Sequence, residues 1–338
     1  MLGRRTFLAN AAATVVPASF ASDALALARK SAKTCTLPLL PPQKPGEVLD
    51  GGSRMITIPG GYKVWTKRVG RSQTKVLLLH GGPGFSHDYL ECFEDFLPQA
   101  GIEFYYYDQL GCGNSDHPTD DGLWTLPRYV DEVDAVRKGL GLEKLILYGH
   151  SWGGMLAIEY ALKCPQNLDR VVISNMTASV SAYVEYAKVL RSRLSAADQA
   201  TLAKYEVLSK TDDPAYQAVM DKIYAEHFLR LRNWPEPVTR TFAKENTHIY
   251  NLLQGPNEFV ITGRFKNWDR WADLPRIKAP ALVMGAKYDE MSPAQIRREG
   301  RLIANASTWI GEHGSHMCMY DDQRAYFTRL IPFLLGDC

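Results

Sequence analysis

Short apolar runs alternate with helix-spaced stretches through most of this chain. KVLLLH from Lys75, FYYYDQ from Phe104, LILYG from Leu145 and RVVISN from Arg170 are each too short for a helix and too uniformly apolar for a strand with one wet face. They predict strands buried on both faces. Between them lie helical patterns, one near Arg128 to Gly139 and one in MLAIEYALK after Gly154, and two strands, MITIP and YKVWTKRV, precede the series. Such alternation predicts an α/β fold with a doubly wound, mostly parallel sheet. From Ala178 to Trp271 the strand signals vanish, and Glu, Ala, Tyr, Arg and Lys recur at helical spacing. We therefore expect a helical cap over 178–271, inserted after the sixth strand, and a core made of 55–177 and 272–338. The sheet resumes at Pro280 with PALVMGAKYD.

The first 54 residues differ in character. Arg4-Arg5 precedes the Ala-rich stretch LANAAATVVPASFA and a small-residue site at Ala24-Leu25-Ala26. This predicts a twin-arginine-type signal peptide over 1–28, a Pro- and Gly-containing lead-in over 29–54, the export machinery as a partner and a periplasmic or secreted protein. The apolar run is short and broken by Pro17, so no stable membrane anchor is expected. Composition removes other classes. A net charge of +2, with no basic run interleaved with aromatics, offers nothing to nucleic acid. Six cysteines in 338 residues are too few for a disulfide scaffold, and without C-x-x-C or a histidine cluster no metal or other cofactor is expected. A small molecule is the expected partner.

The chemistry concentrates where LILYGHSWGG passes from strand to helix. In Gly149-His150-Ser151-Trp152-Gly153 the pattern G-x-S-x-G puts Ser151 on a turn that glycine must flank, raising its hydroxyl above the sheet edge at a helix N-terminus. A nucleophilic serine needs a base and an acid that orients it, and Asp289 followed by His316 supplies them in the order Ser, Asp, His. Asp289 ends the PALVMGAKYD strand, at the sheet edge where catalytic groups collect. It also reads as a turn or cap residue before Ser292-Pro293, and Glu290 beside it is expected to point elsewhere. His313 rivals His316, which is favoured because it follows the Gly314-Ser315 turn. KVLLLHGGPG ends in a glycine turn suited to a second oxyanion donor, so Gly82 and Trp152 amides are the expected pair. Cys112 is a candidate for the pocket lining and Cys164 for helix packing.

Together, His80-Gly81-Gly82-Pro83-Gly84, Asp108-Gln109-Leu110-Gly111-Cys112-Gly113-Asn114-Ser115 and Gly149-His150-Ser151-Trp152-Gly153-Gly154 resemble the proline iminopeptidase family of α/β-hydrolases, from about Met55 to the C-terminus. The resemblance implies the α/β-hydrolase fold, the triad Ser151, Asp289 and His316, and release of an N-terminal residue, often proline, from short peptides, amides or arylamides. Many members carry Arg where this chain has Leu110. With Gly255-Pro256-Asn257-Glu258-Phe259, Leu110 resembles the branch of tricorn-interacting aminopeptidases and L-amino acid amidases, which widens the residues expected at the scissile position. An exopeptidase also needs a buried anion for the substrate ammonium. Glu258 is the first candidate, and Glu226 in YAEHF the second, each against the ordinary reading of a surface glutamate. An esterase or lactonase with the same triad and no amine requirement stands as the alternative. An idle binding protein is a third reading, and a carboxylate-nucleophile dehalogenase is disfavoured by Ser151.

Overall fold

The structure is a computed structural model and describes residues 52–337. The signal and most of the lead-in expected over 1–54, Arg4 and Arg5 included, lie outside the described residues. Eight strands form one sheet in the order β1-β2-β4-β3-β5-β6-β7-β8. They are β1 (Gly52–Thr57), β2 (Lys63–Val69), β3 (Lys75–Leu79), β4 (Glu103–Tyr107), β5 (Leu145–His150), β6 (Leu168–Ser174), β7 (Ala281–Ala286) and β8 (Ala306–Gly311). β1 and β2, and β2 and β4, pair antiparallel, and every pairing from β4 to β8 is parallel.

The uniform apolar runs follow from burial on both faces. Leu78, Phe104, Tyr106, Ile146 and Tyr148 enter one apolar cluster, whereas Leu77, Leu79, Tyr105, Tyr107, Leu145 and Leu147 enter the other. Side chains alternate across the sheet, so a strand with both faces covered has no polar positions to spare. The second cluster is covered by α1 (Leu126–Gly139), α2 (Trp152–Lys163) and α8 (Pro293–Leu302). The first takes α10 (Gln323–Leu335), reached through the short α9 (Cys318–Asp321), and the 3₁₀ segment His87–Asp95.

Between β6 and β7 the chain leaves the sheet and forms α3 (Val180–Arg191), α4 (Ala196–Val207), α5 (Pro214–His227), α6 (Glu236–Ala243) and α7 (Thr247–Leu253). Side-chain caps start all of these helices but α6. Ser179 accepts from the Ala182 amide, Asp213 accepts from Ala215 ahead of Pro214, and Asn246 accepts from Ile249. The insert is not helical to its end as the pattern predicted. After Leu253 the chain is irregular up to a 3₁₀ turn at Leu274–Arg276, the helix being stopped by Gly255 at φ 140° and by Pro256 after it. That irregular stretch carries Glu258. No helix among the described residues is long and apolar enough to cross a membrane.

Candidate active site

Ser151 caps α2 with φ 55° and ψ −126°, a conformation that costs a non-glycine residue about 1–3 kcal/mol. The surroundings enforce it. A Cβ at position 149 would overlap the Gly153 carbonyl, and one at 153 would overlap the Leu79 carbonyl, so strand, turn and helix approach as only glycine permits. Ser151 is half-buried and opens into a pocket that it shares with Gly82, Trp152, Glu258, Glu290 and His316.

Asp289 stands three residues beyond β7, fully buried. Its Oδ1 accepts from His316 Nδ1 at 2.9 Å and from the Met291 amide at 3.0 Å. Its Oδ2 accepts from the Asn175 side chain at 2.7 Å. Asn175 follows β6 with φ 54°, a left-handed conformation that turns its amide toward Asp289. The sequence reading passed over Asn175, although its place at a strand's C-terminal end was the available signal. The structure brings Ser151 and His316 to one pocket, with Asp289 buried behind His316, and leaves His313 exposed outside it, its amide donating to Asp322. The His316 amide donates to the His227 carbonyl at the end of α5, so the insert helps hold this loop.

Gly82 and the start of α2 meet at the same pocket, and the segments bearing them are cross-braced. His80 Nδ1 donates to the Gly81 carbonyl at 3.0 Å while its Nε2 accepts from the Gln109 amide at 3.0 Å. Because a trans peptide points its carbonyl and amide in opposite directions, fixing the Gly81 carbonyl fixes the line of the Gly82 N–H. Burial, stronger than the pull of Asp108, lowers the His80 pKa to about 4 and keeps this ring neutral. The Gln109 side chain donates to the His80 carbonyl and accepts from the Trp152 indole at 2.8 Å, tying both segments together. On the other side the Gly81 amide donates to the Tyr89 hydroxyl, which donates to His150 Nδ1, and His150 Nε2 donates to the His316 carbonyl. Burial, then the neighbouring His316, pushes the His150 pKa down and keeps it neutral.

The far end of the pocket is lined by carboxyl groups. Glu258 is 7% exposed and accepts from the Tyr224 hydroxyl of α5. Glu290, expected to point elsewhere, turns into the pocket with Oε1 3.6 Å from His316 Nε2. Residues 287–292 form a turn rather than a strand, which lets Asp289 reach His316 Nδ1 while Glu290 faces the pocket. No Lys or Arg lines this pocket among the described residues. Burial raises the Glu290 pKa, and Glu258 and Asp289 add to the rise against the pull of His316. On His316 burial acts to lower the pKa, but Glu290 and then Asp289 outweigh it and lift it to about 9. Glu226 is a second correction. The buried side of α5 is Tyr216, Val219, Met220, Ile223, Tyr224 and His227, so Glu226 falls on the outer face with its side chain 61% exposed. Cys112 is a third, being fully buried within the 108–115 loop and absent from the pocket wall. Cys164, placed in helix packing, is half-buried at the end of α2.

This arrangement, a strained serine between glycines with a buried His–Asp pair above a parallel sheet, is the layout of a hydrolase. Residues 74–323 match the family described as alpha/beta hydrolase fold, and the chain belongs to that family. Its relatives narrow the class. It is 42% identical over 286 residues to a proline iminopeptidase of Elizabethkingia meningoseptica, covering 82% of this chain and 96% of that one. It is 37% identical to one of Saccharolobus solfataricus, over 85% and 92% of the two chains. The crystal structure of a Mycobacterium smegmatis proline iminopeptidase superposes with a TM-score of 0.78 at 29% identity, covering 85% and 98%. That of VinJ superposes at 0.81 and 31%, covering 85% and 99%. Within the α/β-hydrolases the chain thus belongs with the proline iminopeptidases, and it is a hydrolytic enzyme.

Proposed function

We propose that this enzyme releases an N-terminal amino acid, proline or another small apolar residue, from short peptides, amides or arylamides through an acyl-enzyme on Ser151. His316 takes the Ser151 proton as Ser151 attacks the carbonyl, and the Gly82 and Trp152 amides hold the oxyanion, each such donor contributing about 3 kcal/mol in the transition state. His316 then protonates the departing amine, and water repeats the sequence on the ester. Asp289, held by Asn175, keeps the His316 Nδ1 proton in place. The observation that carries the aminopeptidase reading is the pair of buried carboxylates, Glu258 and Glu290, in a pocket whose wall has no Lys or Arg among the described residues. A substrate ammonium can pair with these carboxylates through charge-assisted hydrogen bonds. The test compares prolyl and N-acetylprolyl arylamides. Cleavage of the free-amine substrate alone is expected, and equal cleavage of both would refute the amine anchor.

We also propose that the precursor is exported by a twin-arginine route and works in the periplasm or outside the cell. Arg4-Arg5 ahead of an Ala-rich apolar stretch supports this. Replacing both arginines by lysine should retain the protein in the cytoplasm, and an unchanged exported fraction would defeat the proposal.

A further inference from the structure

Glu290 stands next to the atom that must act as base. Its Oε1 lies 3.6 Å from His316 Nε2, the nitrogen left free when Nδ1 bonds Asp289. His316 is 2% exposed, so little water screens the contact. The groups facing His316 are Asp289 and Glu290 from the loop after β7, Glu258 from the loop after α7, and the neutral ring of His150 from the elbow. Tyr183 from α3 and Tyr224 from α5 face the two glutamates with hydroxyls. Against three carboxylates, the one group in this cluster able to carry positive charge readily is His316 itself.

We propose that Glu290 holds His316 protonated, and so idle as a base, until a substrate ammonium claims the Glu290 carboxylate. The substrate's α-amine is then a condition for chemistry as well as a handle for binding. This rests on the reading of Glu258 and Glu290 as the amine partners. The proton balance is explicit. In the free enzyme Nδ1–H bonds Asp289 and Nε2–H faces Glu290. Arrival of the ammonium replaces one positive charge by another, and the Nε2 proton leaves to solvent. His316 can then accept the Ser151 proton. The raised His316 pKa, whose strongest upward cause is Glu290, agrees in direction.

Two measurements test this. The first is the rate at which an amine-free fluorophosphonate modifies Ser151, followed against pH. Such a reagent leaves Glu290 on His316, so the native rate should fall as pH drops through about 9. Glu290→Gln keeps the shape but removes the charge, and should lower the midpoint by a pH unit or more. Labelling at pH 7 should then be at least about tenfold faster than native, one unit being tenfold in the deprotonated fraction. An unchanged midpoint, or slower labelling at pH 7, would overturn the proposal. The second does not depend on that variant folding. Ser151→Ala enzyme is titrated with L-prolinamide at pH 7.5 by calorimetry in buffers of different ionisation heat. Release of a proton is expected together with a move of the His316 ring nitrogens from imidazolium to neutral ¹⁵N shifts; a proton shed by Glu290 alone would leave those shifts unmoved and overturn the switch. Binding without proton release overturns the switch and leaves the amine anchor standing, whereas no binding of prolinamide removes the anchor, and the switch with it.

Discussion

The two ends of the pocket are built by different means. The reacting end consists of backbone and neutral groups: a strained Ser151 between obligatory glycines, amides at Gly82 and Trp152, and histidines 80 and 150 kept uncharged by burial. The anchoring end consists of buried charge, with Glu258 from an irregular loop of the insert and Glu290 from the turn after β7. Developing negative charge on an oxyanion is met by dipoles already oriented, which need not reorganise during the reaction. A cationic substrate is met by carboxylates whose burial is tolerable only with a partner. In the mechanism proposed above, acyl transfer belongs to the sheet edge and selection for a free amine largely to what was inserted or turned in above it.

The comparison can be broken at either end. Ser151→Ala should have the largest effect, lowering kcat by at least about a thousandfold with the thermal transition preserved, since triad members act as a unit. Near-native turnover on a prolyl arylamide would remove the reacting end as described. Asp289→Asn should follow, with kcat down about a hundredfold or more because the wrong His316 tautomer is favoured. Single-turnover acylation is the direct measurement.

At the anchoring end, Glu258→Gln should cost about 2–5 kcal/mol in kcat/KM on free-amine amides, the cost of losing one member of a buried charge pair, and leave an uncharged acyl ester within about threefold. Equal losses on both substrates would show that the two ends are not separable. Asn175→Gly keeps the left-handed backbone and removes the side chain that donates to Asp289 and to the Ser315 carbonyl and accepts from Ser174. A fall in kcat of about tenfold, with KM little changed, is expected from loss of one charge-assisted hydrogen bond. Full activity would mean that the residue serves the backbone alone. The smallest effects should come from Glu226→Gln and His313→Ala, both outside the pocket, with kcat/KM within about twofold of native on the same arylamide.

Much of the reacting end was legible because its signals are contiguous. Strand, glycine turn and helix in LILYGHSWGG specify the elbow, and apolar runs with both faces buried specify a parallel sheet, since local geometry and period need no distant partner. The strand ends at Asp289 and the loop at His316 were found by the same logic, since chain order and sheet edge carry that information. What the sequence left open depended on which face a side chain presents in a turn and on who packs against it. Glu290 was expected to point elsewhere, yet residues 287–292 turn and bring it against His316. Glu226 looked like a cap carboxylate until the packing of α5 assigned its face, with Tyr224 turned inward and Glu226 outward. Asn175 and Gln109 act across 114 and 43 residues of sequence, through Asp289 and Trp152. Sequence alone determined the nucleophile's turn and the sheet, because those rest on steric rules between near neighbours. The tertiary structure decided the charge arrangement at the anchoring end, because burial and the approach of distant carboxylates come into being only when the chain has folded.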